Sequence, residues 1–315
     1  MNAGRAGGAL LPCTPSHCPD STAMTSRRFF QVDVFSPRPG CGNALAVVLD
    51  AQGLDQAAMQ AIARWTRLPE TTFVFPAADA ASSYRIRMFA PHHEVPFAGH
   101  PSIGTAHAVL AAGLAQPRQG MLVQDGIAGR LPLKVETIDG IGRIAIGVPR
   151  AQLVEVVDAA DARLAAAIAG WPLGALPPAL MDGGRRWWVV ELADQASLRG
   201  LSPDWDAIAA LAQASAAMGV FAYARVAGNA DYQLAVRAFV GNGRRFEDAA
   251  SGAANAVLAA WLDRQGALPG QDGRYVASQG REVGFDALLE LRIDADGQVW
   301  SGGQVQTVVT GMLDW

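Results

Sequence analysis

From Arg28 to Phe35 the chain reads Arg-Phe-Phe-Gln-Val-Asp-Val-Phe. Its apolar positions alternate, which predicts a half-buried strand. Short apolar runs predict further strands at Ala44–Leu49, Glu70–Phe75 and Tyr84–Phe89. In the last of these, Tyr84, Ile86 and Met88 share one face, and Arg85 and Arg87 the other. Residues 54–66 instead set Leu54, Met59, Ile62 and Trp65 on one side of a helix, and Pro69 then breaks the chain. Next comes Phe97-Ala-Gly-His-Pro-Ser-Ile-Gly-Thr-Ala-His-Ala-Val-Leu110. It is small and apolar nearly all round, so it predicts a helix with no wet face, enclosed by other elements. Pro101 suits the first helical position, which makes His100 the expected N-cap, and Gly113 suits the stop. Strands are expected at 121–125, 130–136 and 142–148.

The second half repeats this layout. Strands are expected at Arg186–Glu191, Val220–Arg225 and Tyr232–Phe239, and a helix at Asp204–Ala214. A second small-residue helix follows Ser251, a good N-cap, and ends near Gly266. Strands at 274–277, 288–293 and 305–309 complete the pattern. His100 and Ser251 stand about half a chain apart. The fold class expected is therefore α+β: two pseudo-symmetric halves, each an antiparallel sheet around one buried helix, with a cleft between them. The halves are expected at 28–148, with 305–315 as a possible returning strand, and at 149–304. Residues 1–27 are rich in Gly, Pro, Ser and Thr and lack periodicity. They are expected to form a disordered extension, because the apolar stretch at Ala9-Leu10-Leu11 is too short for a signal peptide.

Composition narrows the chemistry. Half of the 315 residues are hydrophobic and 17% are charged, enough for a large core. Of 25 basic residues only Lys134 is lysine. It falls on the polar side of an alternating run and is expected to face water. That argues against a Schiff-base lysine or a phosphate-binding P-loop. Net charge is −4 and no basic stretch exists, so no nucleic-acid partner is expected. No apolar run reaches the ~20 residues of a membrane span. Cys13, Cys18 and Cys41 do not make a disulfide framework, which points to a reducing cytoplasm. Cys13 and Cys18 with His17 lack a second ligand pair, so no metal site is expected.

Two enclosed helices opening on one cleft would aim their N-terminal N–H groups into it, an arrangement that binds anions without lysine. Gly99, Gly104 and Gly252 would let a ligand approach the backbone. Glu70 starts a strand after Leu68 and Pro69, where desolvation would raise its pKa toward acid/base use; the alternative is a solvated turn. His100 is a candidate or only a cap, and Asp248 a candidate or only a complement to the helix dipole. His92 and His93 read as a solvated loop, and His107 as a packed core histidine. Cys41 stands alone, whereas a two-base cysteine mechanism needs a pair.

These segments together resemble the PhzF family of phenazine-biosynthesis-like proteins, from about Phe29 to the C-terminus. The matching pieces are Phe30-Gln-Val-Asp-Val-Phe35, Gly42-Asn43, Leu68-Pro-Glu-Thr-Thr-Phe-Val74, Phe97-Ala-Gly-His-Pro101 with Gly104-Thr105, Glu247-Asp-Ala-Ala-Ser-Gly252, Gln279-Gly280 and Gly302-Gly303. The resemblance implies a diaminopimelate-epimerase-like fold, often homodimeric, and an isomerase needing neither metal nor other cofactor. It implies Glu70 as the acid/base that moves a proton on a small carboxylate substrate, with His100 and Asp248 at the two helix mouths. It further implies substrate contacts from Gly99, Pro101, Ser251, Gly252, Ala253, Gln279 and Gly280. An epimerase or racemase, or a binding protein that lost the reaction, are the other readings. Ala253 stands where many relatives have Ser, and Arg-Glu-Val-Gly-Phe follows Gly280 in place of a Gly-Arg-Pro pattern, which puts the family's phenazine precursor in doubt as the substrate.

Overall fold

The computed structural model describes residues 25–228 and 231–315. The expected extension, and Cys13, His17 and Cys18 with it, lies almost wholly outside these residues. Order begins slightly earlier than the alternation indicated, because β1 runs Ser26–Val34. Arg27 is buried in it, and its guanidinium donates to the carbonyls of Asp50 and Gln52.

The first half continues with β2 (Asn43–Val48), α1 (Gln56–Thr66), β3 (Glu70–Phe75), β4 (Tyr84–Ala90), β5 (His93–Val95), α2 (Gly99–Ala111), β6 (Met121–Gly126), β7 (Gly129–Ile138) and β8 (Ile141–Val148). The second half contains β9 (Gln152–Val156), α3 (Ala162–Ala165), β10 (Ala179–Asp182), β11 (Arg186–Glu191), α4 (Gln195–Arg199), α5 (Trp205–Ser215), β12 (Ala217–Arg225), β13 (Leu234–Val240), β14 (Phe246–Asp248), α6 (Gly252–Arg264), β15 (Arg274–Gln279), β16 (Ala287–Ile293) and β17 (Val299–Gly303). The last strand, β18 (Val305–Asp314), returns to pair with β1.

The pairings repeat. In the first half β2 runs parallel to β3, β3 antiparallel to β4, and β4 parallel to β6. In the second, β11 runs parallel to β12, β12 antiparallel to β13, and β13 parallel to β15. The sheets are thus mixed, not purely antiparallel as expected. A helix-bearing crossover separates each parallel pair, and such a connection returns a strand in the same direction. The two halves join where β8 pairs with β17.

α2 and α6 each have 13 residues and sit inside this framework. Ile103, Ala106 and Val109 of α2 share one core with Val257, Leu258 and Trp261 of α6 and with strands of both halves. Small residues make the enclosure possible. A Cβ on Gly104 would come within 2.6 Å of Leu45 and 2.8 Å of Val34. Among the described residues no helix is long and apolar enough to cross a membrane.

Lys134 departs from its expected place. Its Nζ lies 2.8 Å from Asp294 and 3.9 Å from the centre of the Trp300 ring, with the side chain only 22% exposed. The alternation put it on the outer face of β7, but that face is a wall of a groove of about 300 Å³ across the β8–β17 seam.

Candidate active site

Glu70 is the first residue of β3 and pairs with Leu45 of β2. The Thr72 hydroxyl, two residues on, lies 2.7 Å from that of Thr105 and ties this strand to α2. The strand therefore delivers Glu70 to the N-terminal mouth of α2. There Glu70 Oε2 and His100 Nε2 stand 3.2 Å apart, with side chains 19% and 11% exposed. Their directions do not meet hydrogen-bond geometry, and neither atom has another partner among the described residues. Such unpaired buried polar atoms are costly and cluster where a ligand supplies the partner.

His100 is not the N-cap. Ala98 occupies that position in an extended conformation, Gly99 opens the helix, and Pro101 is its third residue. The first N–H groups of a helix lack intrahelical partners, so a proline fits there as well as at the first position. Gly113 takes a left-handed φ of +69° just beyond the end, as expected of a helix stop.

The second mouth is built around Asp248, the last residue of β14. Its carboxylate accepts from the Ala250 N–H at 3.2 Å, and its backbone carbonyl accepts from Gln279 Nε2 at 2.8 Å. Gln279 Oε1 accepts from the Ser251 N–H and from Asn255 Nδ2, at 3.2 and 2.9 Å. Gln279 is fully buried, so its amide shapes the mouth and is committed to protein partners. Gly280 follows at φ +91°, where a Cβ would meet the Ala249 carbonyl at 2.4 Å. Ser251 caps α6 as expected, its hydroxyl accepting from the Ala254 N–H at 3.3 Å. The N–H groups of Gly99, His100, Gly252 and Ala253 lie in first turns, where no intrahelical acceptor exists. Asn43 Nδ2 donates to the Ala250 carbonyl at 2.9 Å and joins the first half to this mouth.

Electrostatics couple the two mouths. Burial, and then the Asp248 charge, push the Glu70 carboxyl up to about 7, against a smaller opposing pull from Arg185. Burial holds His100 down at about 3, so its imidazole is neutral at ordinary pH. Burial also raises Asp248, opposed by the Ala250 N–H, Ser251 and Arg185.

The remaining candidates fall elsewhere. Cys41 is buried in a loop whose N–H groups at Gly40, Cys41 and Gly42 all donate to the Asp33 carboxylate. His93 is the exposed first residue of the short strand β5, whose last residue, Val95, is buried, and Glu94 is paired with Arg87 at 2.6 Å. His107 is half-buried, its Nε2 2.8 Å from the Thr307 hydroxyl. The sequence assigned no role to Asn43, beyond its place in the Gly42-Asn43 piece, and gave no signal for Asn255 or Arg185. The first two act through contacts across more than 20 residues, and the third lies in an ordinary Gly-Gly turn.

Residues 32–311 match the family model for phenazine biosynthesis-like proteins (PhzC-PhzF). The chain is 30% identical over 300 residues to antisense-enhancing sequence 1 of Schizosaccharomyces pombe, covering 91% of this chain and 99% of that one. It is 30% identical over 295 residues to the trans-2,3-dihydro-3-hydroxyanthranilate isomerase of Pseudomonas aeruginosa, covering 88% and 94%. A Bacillus anthracis phenazine biosynthesis protein of the PhzF family superposes with a TM-score of 0.75 at 22% identity, covering 92% and 99%. With its two mixed-sheet halves around enclosed helices, the chain belongs to the PhzF family of phenazine-biosynthesis-like proteins and is an isomerase.

Proposed function

We propose that the chain moves a proton between two carbons of a small carboxylate-bearing substrate, with Glu70 as the acid/base. The observation that carries this reading is the Glu70–His100 pair: two polar atoms 3.2 Å apart, both buried and neither hydrogen-bonded. A carboxyl near pH 7 is matched to taking a proton and returning it at neutral pH. The Glu70 carboxylate takes the proton from a carbon made acidic by an adjacent carboxylate or conjugated system. The electron pair shifts along that system, and the same carboxyl then protonates the other carbon. No net proton or electron is exchanged. Neutral His100 donates or accepts a hydrogen bond to orient the substrate, and Asp248 does so from the other mouth. The free N–H groups of Gly99, His100, Gly252 and Ala253 receive the carboxylate. Pro101, Ser251, Gln279 and Gly280 hold those mouths in shape. The chemistry needs neither a metal nor an organic cofactor.

The relative named for trans-2,3-dihydro-3-hydroxyanthranilate makes that compound the first substrate to test. Glu70→Gln is expected to lower turnover by about 10²–10⁴-fold while leaving thermal stability intact. Near wild-type turnover of that variant, on any substrate the wild type converts, would sink this reading. A second reading, epimerisation with Glu70 and Asp248 on opposite faces of one carbon, draws on the coupling between these two buried carboxyls. Deuterium uptake from solvent at one inverted centre supports it, whereas intramolecular migration supports the isomerase with a single acid/base.

A further inference from the structure

β10 and β11 form a hairpin in which Asp182 pairs with Arg186, leaving Gly183, Gly184 and Arg185 as the turn. The turn's backbone is fixed. Gly184 adopts φ +90°, and its N–H donates to the Asp182 carboxylate at 3.0 Å. Arg186 is tied to the same carboxylate at 3.0 Å. The turn also presses on α6, because a Cβ on Gly183 would lie 2.9 Å from a methyl of Val257. Val257 is five residues into that helix, roughly 7–8 Å along its axis at about 1.5 Å per residue. An extended arginine side chain spans that distance.

Among the described residues the Arg185 guanidinium makes no hydrogen bond and no ion pair, and the residue is exposed. Its neighbours on the hairpin are anchored and it is not. Its charge is nevertheless felt by both Glu70 and Asp248, pulling each carboxyl downward. An arginine that reaches both buried carboxyls electrostatically, yet pairs with neither, leaves its planar fork of donors available to a third partner. The mouth of α6, the helix this hairpin packs on, offers unbonded donors in its first N–H groups at Gly252 and Ala253, and Ala253 brings no hydroxyl to them.

We propose that Arg185 is a specificity-determining residue that grips the substrate's carboxylate from the solvent side, against the α6 amides, so that the site selects a carboxylate over its neutral amide. The inference deepens the proposed isomerase reading and rests on its placement of substrate at the helix mouths. A guanidinium fork matches the two oxygens of a carboxylate, whereas an amide offers one acceptor and two clashing donors.

The test compares binding of anthranilate and of anthranilamide, its uncharged isostere, by calorimetry to wild type, Arg185→Met and Arg185→Lys. Wild type is expected to favour the acid about ten- to hundredfold. Arg185→Met should weaken acid binding by about that factor, leave amide binding within about twofold, and melt as the wild type does. Arg185→Lys should recover part of the preference, since it keeps charge without the fork. No preference for the acid in wild type, failure to bind either compound included, overturns the inference. So does unchanged acid binding in Arg185→Met. Anthranilate binding that survives Glu70→Gln but not Arg185→Met separates the two readings. In that case a Glu70 that proves dispensable for turnover defeats the proton-transfer reading alone.

Discussion

Glu70 holds its useful range because two influences on it oppose a third. Burial and the Asp248 charge raise it, and the Arg185 charge lowers it. As the base it must be ionised, so activity is expected to rise with pH through about 7. His100, held near 3 by burial, adds no limb above pH 5. The sign for Asp248 follows directly. Asp248→Asn removes a negative neighbour, ionisation of Glu70 becomes easier, and its titration moves to lower pH. A carbon-13 NMR titration of the Glu70 carboxyl reads this without needing turnover, and an unmoved midpoint contradicts the coupling. The sequence made Glu70 legible through the apolar residues around it, Leu68, Pro69 and Phe73, of which Phe73 is fully buried while Pro69 is exposed. It misplaced His100 by two helical positions, because the rule that seats proline first tolerates it anywhere in the unbonded first turn. Arg185 was illegible, since only the docking of a hairpin on α6 brings its charge near the carboxyls.

The two enclosed helices are set by their smallest residues. Gly104 faces Leu45, Val34 and Val32, and a methyl there would stand 2.6, 2.8 and 3.0 Å from them. Gly104→Ala is therefore expected to destabilise by about 1–3 kcal/mol through overpacking, despite the helix propensity of alanine. Gly99→Ala has nothing within 4 Å of its new methyl and serves as the control for stability. Chemical denaturation of both variants gives the comparison, and equal midpoints would show that α2 is loosely held. Composition announced these helices, as a run without a polar face has nowhere to go but inside. It did not announce β5, β9, β10, β14 or β17. Strands of three to five residues offer too few alternations to read, and Val-Trp-Ser-Gly-Gly of β17 looks like a loop until it is paired with β8.

At the scale of the whole chain, the repeated layout was visible while its pairings were not. Strand direction depends on which crossover lies between two strands, and a periodic pattern is the same either way. The β18–β1 ladder shows the limit most clearly, since its partners lie at opposite ends of the described chain. Removing residues 305–315 is expected to leave β1 with one neighbour and to expose Val32 and Val34, both fully buried in the intact protein. Loss of slow amide exchange in β1 and β2, beyond the fraying of a terminus, is the outcome to look for. A truncated chain with native protection there would show that the first half closes on its own.

That ladder also sets a timetable. On a ribosome working at about 5–20 residues per second, roughly 15–60 s separate the emergence of β1 from that of β18. Throughout that interval β1 presents a bare, apolar edge that could recruit another chain. The half synthesised first is thus the half completed last. A nonsense mutation anywhere before β18 would release a protein whose oldest strand has never met its partner.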